Sequence, residues 1–215
     1  MLASMILSLR GYPLLLEIRR GVPFTSKIFD LYRAWISIGD SEDEDAAEHR
    51  KSVARGEELF NNTPINITGV AGLNDTLNAK SIPGFCGTCH DTPDVGNHSR
   101  RLPINIGVAN GGSNNNNPEL DIDDLPVFAL QCMSGPLTGK TYVVTDPGRA
   151  LISGTCADIG KVKGPILRGL AGRAPYFHNG SAATLLDVVN FYNLRFNIGL
   201  TNAQMKDLAA FLQTL

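Results

Sequence analysis

Residues 85–98 read FCGTCHDTPDVGNH: two cysteines, Cys86 and Cys89, with a histidine, His90, directly behind the second and another, His98, further on. Few chemistries need a thiol pair with an imidazole attached. A zinc ribbon requires a second C-x-x-C or a histidine pair at finger spacing, and the remaining cysteines, Cys132 and Cys156, stand alone. A thioredoxin-type redox pair requires a strand leading in and a helix opening on the cysteines; here the flanks IPGF and DTPDVGN read as loop.

C-x-x-C-H is the attachment pattern of c-type haem. Two thiols form thioethers to the porphyrin edge, and the adjacent imidazole is thereby held beneath the ring to bind iron. The expected cofactor is one covalent haem c on Cys86 and Cys89, with His90 as an iron ligand. Around it the chain should be mainly α, a cytochrome c-like haem domain with an inserted β-hairpin and long loops. ARGEELF, residues 54–60, reads as a short helix with Leu59 and Phe60 available for a core. In TNAQMKDLAAFLQTL, Thr201 and Gln204 form a capping box, and Leu208, Phe211, Leu212 and Leu215 share one helical face. Two terminal helices crossing around a haem loop is the cytochrome c arrangement. TLLDVVNFYN predicts a third helix, with a second box at Thr184 and Asp187 and a face of Leu185, Val188, Val189 and Tyr192. NGGSNNNNPEL, residues 110–120, is a polar loop, and LPVFALQ with GKTYVVT reads as a β-hairpin. Cys132 and Cys156 flank that hairpin. Thioether-linked haem is assembled in an oxidising compartment where spare thiols pair, so a disulfide is expected; two buried thiols is the alternative.

Composition narrows the remaining classes. A chain of 215 residues, 43% hydrophobic, with 22 Gly and 12 Pro, can bury a core and reads as one or two loop-rich domains. A net charge of -2 without a basic, aromatic-interleaved run argues against nucleic acid. MLASMILSL is interrupted by Arg10 and YPLLL by Glu17, so neither has the length of a membrane span. The start also lacks a basic n-region and a small-residue cleavage site, so no signal peptide is recognised.

IPGFCGTCHDTPDVGNH, DIGKVKGPILRGL and, above all, APYFHNGSAATLLDVVNFYN followed by LTNAQMKDLAAFLQTL resemble the C-terminal haem domain of bacterial di-haem cytochrome c peroxidases. Within that superfamily they are most similar to the tryptophylquinone-maturation oxygenase and its relatives, over residues 50–215 in order. In such proteins the N-terminal haem meets peroxide at an open coordination site, and the six-coordinate C-terminal haem passes or stores electrons. This chain has one C-x-x-C-H, so the resemblance implies a mono-haem c-type cytochrome domain that transfers electrons. The alternative is a haem peroxidase or oxygenase, or the electron-storing half of a di-haem enzyme, needing a second haem domain. The chain would then be the C-terminal part of a longer reading frame. Residues 1–48 are expected to form an N-terminal helical segment ending in the solvated acidic linker DSEDED, Asp40–Asp45, with the haem domain at 49–215. Partners would be redox proteins, donor and acceptor, together with a second haem domain, and the location the periplasm.

The resemblance also bears on the sixth iron ligand. Fourteen residues after the histidine of PYFH, the peroxidases carry methionine and the oxygenases tyrosine; counted from His178, that position is Tyr192. Read from the residues alone, Tyr192 is one more core member of its helix. Met133 competes, because a thioether is the usual sixth ligand of electron-transfer haem. Met205 lies on a helix and is expected to pack, His98 is too near His90 to reach the opposite face, and His49 is expected to be solvated. By the same resemblance Arg168, and secondarily Arg173, would meet the haem propionates, and His178 would hydrogen-bond near the haem edge. The family's inter-domain calcium site uses a threonine where this chain has Arg173, so calcium is not expected.

Overall fold

The computed structural model describes residues 5–9, 12–16, 29–39, 43–90, 102–109 and 124–215. Met5–Leu9 (β1) and Tyr12–Leu16 (β2) pair antiparallel, where helices were expected. Short apolar runs carry no periodicity that separates strand from helix, so this segment was ambiguous in the sequence. FDLYRAWISIG likewise forms only a 3-10 turn, Arg33–Ser37. That stretch packs on the main core. Phe29 is 2% exposed within the main core. The Asn61 amide accepts from the Phe29 N–H at 3.3 Å and donates to its carbonyl at 2.7 Å. The buried Glu57 carboxylate accepts from the Tyr32 N–H at 3.1 Å.

The acidic run does more than solvate a linker. Asp43 caps Glu44–Asn62 (α1) by accepting from the Asp45 N–H at 3.2 Å, and Glu44 and Asp45 sit in the first turn. Negative charge there complements the helix macrodipole, so α1 starts well before the short helix read at 54–60. Ile65–Thr68 (β3) then pairs antiparallel with Ser81–Gly84 (β4), a hairpin absent from the sequence reading. The expected hairpin is present as Phe128–Gln131 (β5) with Thr141–Val144 (β6). A helical turn, Ala150–Ser153 (α2), and the helices Leu185–Arg195 (α3) and Asn202–Leu212 (α4) follow. Both predicted capping boxes are formed, by Thr184 with Asp187 and by Thr201 with Gln204. The described chain is therefore helix-rich with small two-stranded sheets. None of its helices is long and apolar enough to cross a membrane.

The core forms where α1 crosses α4. Phe29, Phe60 and Phe211 pack with ring centroids 5.3, 5.4 and 5.6 Å apart, in edge-on or tilted arrangements. Beside them, Asp207 of α4 accepts from Arg55 Nε at 2.7 Å and from Ser52 Oγ at 2.7 Å, both on α1. Burial opposes ionisation of Asp207, but the hydrogen bonds from Arg55 and Ser52 outweigh it and hold the carboxyl below its ordinary value. A depressed carboxyl stabilises the fold above its unfolded value, about 4, and that stabilisation disappears as pH falls through the lower folded value. Asp207→Asn is therefore expected to lower stability at pH 7 and to flatten its decline below about pH 4. Denaturant midpoints of both proteins across that range measure the difference.

Cys132, 1% exposed at the end of β5, is bonded to Cys156, with α-carbons 5.9 Å apart. Thiol titration of denatured, unreduced holoprotein is expected to find no reactive cysteine; two titratable thiols would reject the bridge.

Candidate functional site

The haem-motif turn is built on β4. After Gly84 the chain enters a 3-10 turn, Cys86–Thr88, in which Thr88 Oγ1 accepts from the Phe85 N–H at 3.0 Å. The N–H groups of Cys89 and His90 both donate to the Cys86 carbonyl, at 3.2 and 3.1 Å. A Cβ on Gly84 would collide with Thr88 Oγ1, so the side chain that closes the turn needs a glycine beneath it. The result places Cys86, Cys89 and His90 on one cavity of about 400 Å³. That volume lies within the range of small-molecule and cofactor pockets.

Most of the cavity lining is aliphatic or aromatic. α1 contributes Leu59 and Phe60, β3 Ile65 and Ile67, α3 Leu185, Val188 and Val189, and α4 Leu208 and Leu212. Phe60 connects core to site, its ring 5.6 Å from Phe211 and 6.4 Å from the His90 imidazole. Neither Cys86 nor Cys89 is in a disulfide. Burial, reinforced by the neighbouring Cys89, pushes the Cys86 thiol up to about 12. Such a thiol is protonated at neutral pH, unlike the depressed cysteines of disulfide exchange.

Tyr192 lines the same cavity, its ring 5.4 Å from Phe191 and stacked 6.1 Å from Phe196. Burial raises its phenol, and Cys89 and Cys86 raise it further, which places Tyr192 within electrostatic reach of both thiols. Its hydroxyl has no hydrogen-bond partner among the described residues. The donor set therefore fits a covalently tethered porphyrin: two thiols and an imidazole from one turn, a phenol from α3 and apolar walls between. Among the described residues no cluster of three or more His, Cys, Asp or Glu side chains offers a bare metal ion a site.

The other predicted residues are distributed unevenly. Met133 is 78% exposed and does not line the cavity. Met205 packs against the core, where its sulfur accepts from Asn193 Nδ2 at 3.5 Å. His49 is exposed on α1, and His98 lies outside the described residues. Arg168 is exposed and follows the cavity-lining Leu167 without lining the cavity itself, whereas Arg173 lines it and donates to the Ile166 carbonyl at 2.7 Å. His178 also lines it, with Nδ1 2.5 Å from the carboxylate of the buried Asp146. Asp146 is fixed in turn by accepting from the Gly148 N–H at 2.8 Å. The preceding Phe177 has φ of +65°, a conformation that non-glycine residues seldom adopt and that clusters at functional sites. Asp146 and Lys163, which also lines the cavity, were not singled out in the sequence. The turn tetrad TDPG was the available signal for Asp146.

Comparison with curated proteins finds relatives of the chain. The chain is 34% identical over 142 residues to the cytochrome-c peroxidase IdrP2 of Denitromonas iodatirespirans, covering 61% of this chain and 36% of that protein. It is 34% identical over 140 residues to the protein of that name from Pseudomonas sp. strain SCT, covering 60% and 35%. With the cytochrome c551 peroxidase of Nitrosomonas europaea it shares 33% over 99 residues, covering 40% and 30%. The chain thus spans about a third of the length of these relatives. No protein-family model matches it, and no solved structure does.

Proposed function

We propose, from the premise that this chain belongs to the bacterial di-haem cytochrome c peroxidase family, that it is a cytochrome c-like domain holding one covalent haem c as an electron-transfer centre. The observation that carries the reading is the convergence of Cys86, Cys89, His90 and the Tyr192 phenol on one apolar cavity. Cys86 and Cys89 would supply the thioethers, and His90 and Tyr192 would hold the iron. The haem, when bound, supplies a one-electron ferric–ferrous couple. Phe60 packs beside the His90 ring and limits its reorientation. The aliphatic walls exclude water, which keeps reorganisation small when charge changes. Arg173 lines the cavity where a propionate would need a donor. His178, oriented by Asp146, can hold or release a proton at the cavity edge. The partners in this reading are redox proteins, and the compartment is the oxidising periplasm, where thioether attachment takes place.

A second reading follows from the fact that the chain spans about a third of its relatives' length. With a second haem domain, from a longer chain or a partner, the same site would be the electron-storing half of a peroxidase.

Tyr192→Phe tests the ligand set. The change preserves the packing against Phe191 and Phe196 but removes the oxygen. A phenolate is a hard donor that favours ferric iron. The variant is expected to keep its covalent haem, raise its potential, and bind cyanide or carbon monoxide that the parent excludes. An unchanged ferric spectrum would return Tyr192 to plain core packing. If Met133→Ala also removed a thioether signature, the role would pass to Met133.

A further inference from the structure

We propose that residues 29–35 form a strap that positions His90, with Phe29 pressing on Phe60 and Phe60 on the imidazole. The inference rests on the haem reading above only in taking His90 as the iron ligand. The seat of the strap is encoded on one face of α1. Glu57, Phe60 and Asn61 stand there at i, i+3 and i+4, and each is 3% exposed. Asn61 holds the main chain of Phe29 twice, accepting from its N–H at 3.3 Å and donating to its carbonyl at 2.7 Å. Both oxygens of Glu57 accept from the Tyr32 N–H, at 3.2 and 3.1 Å, with the N–H groups of Leu31 and Arg33 beside them. A buried carboxylate and a buried amide are costly unless hydrogen-bonded, so these two positions on α1 require the strap backbone against them.

Between these clamps the side chains turn inward. Phe29, 2% exposed, is edge-on to Phe60 at 5.3 Å and to Phe211 at 5.4 Å. Tyr32 packs on Phe211 at 6.2 Å and on Trp35 at 4.7 Å, and its N–H is the one that Glu57 holds. The Phe60 ring therefore meets Phe29, Phe211 and the His90 imidazole, the last at 6.4 Å and tilted by 48°. The His90 N–H is fixed to the Cys86 carbonyl at 3.1 Å, which sets the main chain of the ligand and leaves its ring plane to the side chains packed against it. Groups around a ligand set its orientation and with it the properties of the metal. Interiors are close-packed, so a ring that loses one neighbour relaxes toward the gap. Phe29 is accordingly a positioning residue that acts on His90 through Phe60, and Asn61 and Glu57 act through Phe29.

The test follows the His90 ring protons by NMR and the ferric haem by EPR in the full-chain holoprotein. Phe29→Leu keeps an apolar side chain but withdraws the ring edge. Asn61→Ala leaves the Phe29 side chain intact and releases its main chain. Both should shift the His90 signals and broaden the ferric EPR lines. Ser52→Ala is the control, because it removes a 2.7 Å hydrogen bond to Asp207 at the same α1–α4 crossing. It should lower the melting temperature and leave both signals at their parent values. Hydrogen exchange reads the strap itself. In Asn61→Ala the Tyr32 N–H keeps its acceptor, Glu57, yet should exchange about 10-fold faster or more, because the strap lifts as a unit. Unchanged His90 signals in both strap variants would overturn the positioning role, and so would an equal displacement in Ser52→Ala. Parent-like protection of the Tyr32 N–H in Asn61→Ala would replace the strap with two independent contacts. If Phe29→Leu fails to fold, Asn61→Ala carries the comparison alone. A chain that acquires no haem would count against the electron-transfer reading alone, since the His90 ring-proton shifts decide without iron whether the strap sets the imidazole.

Discussion

Serine at both Cys86 and Cys89 is expected to abolish covalent haem altogether, so that intact mass after maturation in a periplasmic host shows the bare polypeptide. The structure makes the loss severe. The two thiols open onto an apolar cavity of about 400 Å³ whose walls come from α1, β3, α3 and α4, so a bound haem would complete the core. A folded state that binds its cofactor gains stability from it, and the double variant should therefore melt at lower temperature or fail to accumulate. A single substitution should leave one thioether and an intermediate outcome. His90→Ala separates tethering from ligation: both thioethers remain, while the ferric spectrum loses its histidine-bound form. A wild-type protein that takes up zinc and no haem under the same conditions would refute the assignment. So would a double variant that keeps haem through denaturation.

The parts of this site that were legible in the sequence are those whose chemistry is local. C-x-x-C-H encodes its geometry within five residues, and the two capping boxes do so within four, which is why Cys86, Cys89, His90 and the starts of α3 and α4 could be read directly. Tyr192 carried no local signal. It was named through the family resemblance, fourteen residues after His178, and the fold puts it on the wall of the cavity that Cys86 and Cys89 also line. The β3–β4 hairpin was missed because SIPG contains the proline and glycine that usually mark a loop, and its pairing with INIT is a non-local event. FDLYRAWISIG was legible as an amphipathic stretch packed on the haem domain, but its anchoring was not: Asn61 and Glu57, buried polar residues on α1, bind the backbone of Phe29 and Tyr32. The acidic run was read as solvated because charge runs usually are. Its capping function depends on where α1 begins, which the periodicity alone did not fix. Met133 was a competitor on chemistry, and the structure puts it 78% exposed beyond the end of β5 and off the cavity wall, which the sequence could not show.

Gly56→Ala is expected to destabilise the protein by about 2 kcal/mol, although alanine is ordinarily the better helix former. Gly56 lies on α1 against the main chain of α4. A Cβ there would stand 2.6 Å from Phe211 Cβ, and closer still to the Asp207 carbonyl oxygen. Both obstacles belong to the α4 main chain or its first side-chain carbon, so neither can swing aside as a flexible side chain would. Relief requires the helices to separate. That movement would disturb the Phe29, Phe60 and Phe211 cluster and stretch the hydrogen bonds from Arg55 and Ser52 to Asp207. The intrinsic gain from replacing a helical glycine, about 1 kcal/mol, offsets part of an overpacking cost of about 3 kcal/mol. For a chain of this length the net loss corresponds to a melting temperature lower by about 4–8 °C. Gly56→Val adds two further methyl groups and should cost more. Gly172→Ala is the matched control, because a Cβ at that position meets nothing within 4 Å. The effect should also reach the site. Phe60 packs on Phe211 at one side and beside His90 at the other, so a displaced helix crossing should broaden the haem spectrum of Gly56→Ala, whereas Gly172→Ala should match the parent. Equal melting temperatures for Gly56→Ala and Gly172→Ala would mean that this crossing is not the closest packing in the fold.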